Sequence, residues 1–300
     1  MSKNNFQATL FYVIINILIL SSIDMNSKKY LILIGISLLF IGVALFVFSS
    51  DEKQSLNTIP SILKSIPTNQ PPGQPSSPSF DLTGWKLTLP LISSADSKDP
   101  LEIRQPELAS YQIDPWFGAT SDKKGFIFRA PVNAPTTANS GYPRSELREM
   151  TADGKDEFFW SSKKGTHSLF LEEAITAVPK NKKDVVAGQI HGDDDDLIVI
   201  RLEDKKLFLA RSKKNLATLD DNYVLGKKFT IRFAAQNGKI LTYYNQNPKP
   251  IYTLDKKVNQ AYFKVGVYTQ SNCETEESAN LCSGDNYGEV VIYQLKVTHE

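Results

Sequence analysis

Three short segments of this chain put ionisable and amide side chains at every second position. They are Arg144-Ser145-Glu146-Leu147-Arg148, Gln189-Ile190-His191 and Tyr262-Phe263-Lys264-Val265-Gly266-Val267-Tyr268. In an extended strand successive side chains point to opposite faces. Arg144, Glu146 and Arg148 therefore share a surface, as do Gln189 and His191, and Tyr262, Lys264 and Tyr268. Leu147, Ile190, Phe263, Val265 and Val267 turn the other way. A surface of Arg, Gln, His, Lys and Tyr suits a groove that holds an anionic chain and moves a proton. Arg144 offers a planar fork matched to a carboxylate, and Gln189 a neutral amide donor. His191, a residue type with an ordinary pKa near 6.5, can accept a proton at neutral pH. Tyr268 can donate one.

The elements that must carry these groups are short strands. Trp85–Pro90, Phe126–Arg129, Ser168–Leu171 and Val185–Ala187 are rich in β-branched or aromatic residues. Leu197–Leu202 and Leu207–Ala210 flank Glu203-Asp204-Lys205-Lys206, the pattern of a hairpin. Phe229–Ala234 and Lys239–Tyr244 flank Asn237-Gly238, a tight-turn signal. Glu289–Thr298 supplies a closing strand. Beyond residue 80 there is no long helical period and no fixed repeat. The expected fold is all-β: a β-sandwich or jelly roll of two packed antiparallel sheets, with a concave sheet carrying the polar face.

Three hundred residues, 41% of them hydrophobic, suffice for one sizeable domain plus a tail. Residues 1–50 form a hydrophobic signal or anchor region. Tyr30–Phe48 is an uncharged run of nineteen residues, long enough to span about 30 Å of hydrocarbon as a helix. Lys28 and Lys29 precede it and Asp51-Glu52 follow, which places the C-terminal part outside the cytoplasm. The length of the run points to a retained anchor, and Val47 and Ser49 offer a processing site as the alternative. Met25, just before Lys28, is a candidate start. Residues 51–79, rich in Ser, Pro, Gln and Asn, read as an extended tether, and 80–300 as the folded domain.

The formal net charge is +1, with 34 basic and 33 acidic residues. Residues 1–79 hold five of the basic and three of the acidic ones, which leaves 29 against 30 in the domain, a net of −1. Nothing there suits a nucleic-acid partner. Cys273 and Cys282 flank a short polar stretch, the spacing of a disulfide closing one loop in an exported protein. With no histidine nearby they make a poor zinc site. Asp193-Asp194-Asp195-Asp196 lacks the spaced ligands and glycine of a calcium loop and reads as a solvated acidic turn.

The three polar segments, extended to Arg144–Glu149 and Tyr262–Gln270, resemble the signature segments of the polysaccharide lyase family 7 alginate lyases. Trp85–Pro90 and Val291–Val297 are similar to that family as well, and the resemblance spans about residues 80–300 in the family's order. It implies a jelly roll with a long cleft and metal-independent elimination; no cofactor is expected, and the catalytic domain is expected to be monomeric, with the oligomeric state left open by the sequence. The implied reaction is β-elimination on an anionic polyuronate. The C5 proton beside a uronate carboxylate is too weakly acidic to leave until that carboxylate is neutralised. The resemblance assigns neutralisation to Arg144 and Gln189 with help from His191, and proton transfer to His191 and Tyr268. Substrate contacts are expected at Arg148, Glu146, Lys264, Tyr262 and Gln270, with Glu146 holding the arginines. In mannuronate the C5 proton and O4 lie on one side, so one tyrosine serves both steps. In guluronate they lie on opposite sides, so base and acid differ. Isoleucine at the position of Ile190 is associated in the family with guluronate-containing substrates. A groove makes endo cleavage the expectation.

Three other readings compete. A carbohydrate-binding sandwich needs aromatic platforms but no aligned Arg, Gln, His and Tyr. A sandwich-fold glycoside hydrolase needs two acids facing one bond. Glu146 and Glu149, three apart on one strand, face opposite ways. A lyase for another polyuronate keeps the chemistry and changes the sugar.

Overall fold

A computed structural model describes residues 81–300, apart from 95–96, 193–194 and 213. The expected anchor at 1–50 and tether at 51–79 lie outside the described residues, as do Asp193 and Asp194 of the acidic turn.

Fifteen strands form two antiparallel sheets. The first has eight, in the spatial order β10 (Lys214–Asp220), β9 (Lys206–Arg211), β8 (Asp196–Glu203), β7 (Asp184–His191), β14 (Tyr262–Thr269), β5 (Arg144–Glu149), β1 (Trp85–Ile92) and β2 (Pro100–Ile103). The second has seven: β13 (Tyr252–Asp255), β12 (Lys239–Tyr244), β11 (Phe229–Gln236), β6 (Thr166–Ala177), β15 (Tyr287–His299), β4 (Phe126–Pro131) and β3 (Phe117–Ala119). This is the jelly-roll β-sandwich expected from the strand pattern.

Alternation decides which face of each strand looks inward. Leu87, Leu89, Leu147, Ile190, Phe263, Val265 and Val267 of the first sheet are fully buried. They join one core with Phe128, Leu169, Leu171, Phe229, Ile231, Phe233 and Ile292 of the second. Each such side chain contributes about 1.5–3 kcal/mol on burial, more than the roughly 1 kcal/mol range of strand propensity. A one-residue slip would expose the whole set, so the polar alternates of β5, β7 and β14 are held on the outer face.

Asn237 (φ 52°) and Gly238 (φ 75°) make the tight β11–β12 turn anticipated at that pair. Four strands had no signal in the sequence: β2, β3, β10 and β13. All four are sheet edges. An edge strand is paired on one side only and is half in solvent, so it needs no continuous apolar face.

Candidate active site

Strand β14 is the centre of the site because it pairs with β5 on one side and β7 on the other. Lys264 lies opposite Arg148 and also opposite Gln189. Gly266 lies opposite Glu146, Tyr268 opposite Arg144, and Tyr262 opposite His191. Register thus brings Arg144, Glu146, Arg148, Gln189, His191, Tyr262, Lys264 and Tyr268 onto one three-strand surface. His191 stands toward one end of it and Tyr268 toward the other. Gly266 (φ 126°) is where β14 bulges against β7. A Cβ there would stand 2.5 Å from the Ser145 carbonyl oxygen and 2.9 Å from Phe128 Cδ1, so no other residue fits without moving both neighbours.

Glu146, 2% exposed, is the hub. Its Oε2 accepts Arg144 Nη1 at 2.8 Å and the Lys264 ammonium at 2.6 Å, and its Oε1 accepts Gln189 Nε2 at 2.5 Å. Burial alone would raise the Glu146 pKa, but the Lys264 and Arg144 charges outweigh it and hold it below the ordinary value. Lys264 is pushed down to about 8, first by burial and then by the Arg144 charge, against the pull of Glu146. Lys264, expected at a substrate carboxylate, thus has its ammonium on Glu146. Of the two arginines Glu146 was expected to hold, it holds Arg144, while Arg148 Nη2 pairs with Glu157 at 3.3 Å. Only Nη1 of the Arg144 guanidinium bonds Glu146, and its Nε is buried without a partner.

At one end, His191 Nδ1 lies 3.0 Å from the Gly192 carbonyl oxygen. A carbonyl only accepts, so the ring carries its proton on Nδ1 and, when neutral, leaves Nε2 as a free base. Burial, with the Lys264 charge adding to it and the Gly192 bond opposing, lowers the His191 pKa below the ordinary value. The ring is therefore neutral and basic at neutral pH. It stacks on Tyr262 with centroids 5.2 Å apart, and the Arg148 guanidinium lies 4.1 Å from the Tyr262 ring centroid. Phe159, 42% exposed, closes this end, 5.6 Å from the Tyr262 ring.

At the other end, the Arg144 guanidinium carbon lies 4.1 Å from the Tyr268 ring centroid, a cation–π contact. The Tyr268 hydroxyl is 2.8 Å from Ser140 Oγ. Tyr142 packs beside Tyr268 and accepts a bond from Lys182 Nζ at 3.1 Å. Ser140, Tyr142, Lys182 and Phe159 carry no strand periodicity and were not singled out from the sequence. Ser140 and Tyr142 precede Arg144 by only a few residues, and that adjacency was the one available signal.

Other expected residues lie elsewhere. Gln270 follows the end of β14, where its backbone N–H donates to the Asp184 carbonyl at 3.0 Å and its Nε2 is buried without a partner. It makes no hydrogen bond to the Glu146 cluster. Glu149 faces away from the cleft, as its spacing from Glu146 requires. It accepts Trp160 Nε1 and the Phe263 N–H on one oxygen and lies 2.6 Å from His299 Nε2 with the other. Cys273 and Cys282 form a disulfide. Within that loop Glu276 accepts the Asn181 N–H at 2.9 Å, fixing the turn that presents Lys182. Among the described residues no cluster of His, Cys, Asp and Glu could hold a metal ion.

Residues 80–299 match the family described as Alginate lyase. An alginate lyase of Klebsiella pneumoniae is 27% identical over 73% of this chain and 90% of its own length. Among solved structures, the alginate lyase AlgAT5 from polysaccharide lyase family 7 is 45% identical, with a TM-score of 0.67 over 73% of this chain and 96% of its own. An alginate lyase from Corynebacterium sp. is 41% identical, with a TM-score of 0.69 over 74% of this chain and 96% of its own.

Proposed function

The chain belongs to the alginate lyase family and is a polysaccharide lyase, and from that premise we propose that it cleaves alginate by β-elimination. The donors around Glu146 receive the uronate carboxylate, with Arg144 contributing the donors that Glu146 leaves free. Preorganised donors aimed at developing charge are worth about 3–4 kcal/mol each in comparable sites. His191 Nε2 takes the C5 proton, and the electron pair of that bond forms the C4–C5 double bond. The C4–O4 bond breaks and Tyr268 gives its proton to the departing oxygen, leaving a 4,5-unsaturated uronate end.

The observation that carries this reading is the stance of His191 and Tyr268 on opposite flanks of the cation cluster. Two separate groups suit guluronate, where proton and leaving oxygen lie on opposite sides, and Ile190 leans the chain toward guluronate-containing substrates as well. A groove lined along a sheet accommodates the middle of a chain, so cleavage is endo. The test is ultraviolet absorbance of the unsaturated product on polymannuronate, polyguluronate and mixed blocks, with chain length followed by size exclusion. The reading requires fastest release on guluronate-containing blocks, with early shortening of the polymer. Release of monomer or dimer alone, or indifference of Tyr268→Phe, overturns it.

We also read the chain as exported. The support is the disulfide, which suits an oxidising compartment, and the Lys28-Lys29 flank of the apolar run. Activity on intact cells that survives neither protease treatment nor removal of residues 1–50 from the gene supports it. Activity confined to the cytosolic fraction refutes it.

A further inference from the structure

We infer that Ser140 is a positioning residue for Tyr268 that holds its hydroxyl in the resting state and then receives the phenolate. The inference rests on the acid role given to Tyr268 above.

Ser140 Oγ has one proton to donate and two lone pairs to offer. The Tyr142 N–H donates to it at 3.2 Å, which occupies one lone pair. Two oxygens then compete for the single serine proton: the Tyr142 carbonyl at 3.1 Å and Tyr268 Oη at 2.8 Å. While Tyr268 is a phenol, one arrangement satisfies every group. Tyr268 donates to the second lone pair of Ser140, and Ser140 donates to the Tyr142 carbonyl.

When Tyr268 gives its proton to the departing O4, it can no longer donate to Ser140 and becomes an acceptor. The serine proton then turns from the Tyr142 carbonyl to Tyr268 Oη, a rotation about one C–O bond with no heavy atom moved. Ser140 keeps its proton throughout. The O–H bond of Tyr268 breaks and the O4–H bond forms; the proton taken by His191 is then released to solvent, which returns one to the phenolate. The Ser140 donor thus meets the anion at its oxygen, while the Arg144 guanidinium lies over its ring.

The serine does not wander, because its loop is tied down. Asn272 Nδ2, next to the disulfide, donates to the Gly141 carbonyl at 3.0 Å, and the Ser140 N–H donates to the Thr137 carbonyl at 2.9 Å.

Ser140→Ala removes the only serine hydroxyl on Tyr268. Losing a hydrogen bond to the anionic form should lower kcat about tenfold, with KM little changed. Ser140→Thr, which keeps the hydroxyl, should restore kcat. Should Ser140→Ala fold poorly, Ser140→Cys, a weaker donor, must give an intermediate kcat. If Ser140→Ala or Ser140→Cys leaves kcat at the wild-type value, or if Ser140→Thr loses as much as Ser140→Ala, while Tyr268→Phe is inactive, the serine has no such role and the acid assignment stands. If Tyr268→Phe keeps full activity, the acid assignment itself has failed.

Discussion

Lys264 sets its Nζ 2.6 Å from Oε2 of Glu146, and the same oxygen accepts Arg144 at 2.8 Å, so one buried carboxylate tethers two cations beneath the cleft. Without that carboxylate the two positive charges would repel each other in a site shielded from water. Glu146→Gln removes the charge and keeps the shape. Breaking a buried ion pair from one side costs about 3–5 kcal/mol. The variant should therefore melt well below wild type and lose kcat/KM, read by thermal unfolding and product absorbance. An unchanged melting temperature would show the cluster to be held by something other than Glu146.

The lysine of this pair titrates within reach of ordinary buffers. Its pKa is about 8 in the fold, against 10.5 for an unperturbed lysine. Between those values the unfolded chain binds more protons than the folded one, so this group makes stability rise, not fall, with pH. The cleft meanwhile loses one positive charge. KM for the polyanion should climb as pH passes about 8, and Lys264→Met should have a high KM with no further climb. A flat wild-type KM across that range contradicts the assignment.

His191 is lowered from its ordinary 6.5, with burial as the main cause. A base works only when unprotonated, so the acid limb of kcat/KM should fall at a pH below 6.5. His191→Asn should lose about 10²–10⁴-fold in kcat and abolish that limb. A limb that persists unchanged in the variant would belong to another group.

Much of this was readable beforehand, and the reason is periodic. Leu147, Ile190, Phe263, Val265 and Val267 alternate with charged and amide residues, which fixed both the strands and the face that carries chemistry. The opposite outlook of Glu146 and Glu149 follows from the same period. Contacts between distant loops leave no such trace. Nothing in the sequence pairs Ser140 with Tyr268, 128 residues away, or Arg148 with Glu157 rather than Glu146. Lys264 was legible as a cation on the right face, but its partner depended on side-chain reach. The edge strand β10, with no buried residue, carries no pattern to read.

Glu173 on β6 is the one described carboxylate whose two oxygens are both buried without a hydrogen-bond partner. Burial pushes its pKa well above the ordinary value. The folded state then holds a proton that the unfolded chain releases above pH 4.5, so stability declines as pH rises from there toward the raised pKa. Glu173→Met should stabilise the domain by about 1–3 kcal/mol at neutral pH, and by less in acid. A melting temperature lowered by the change would mean that the carboxyl is doing something useful in place.

The glycine at the bulge of β14 governs how such an enzyme can be retuned. Any side chain at Gly266 would wedge against Ser145 on the next strand and Phe128 in the facing sheet. The centre of the cleft floor is consequently rigid, and altering it disturbs several strands together. Phe159 at one extremity and Lys182 at the other are side chains whose replacement meets no such backbone clash. Retuning by substitution therefore has room at the two extremities that the bulge denies the middle.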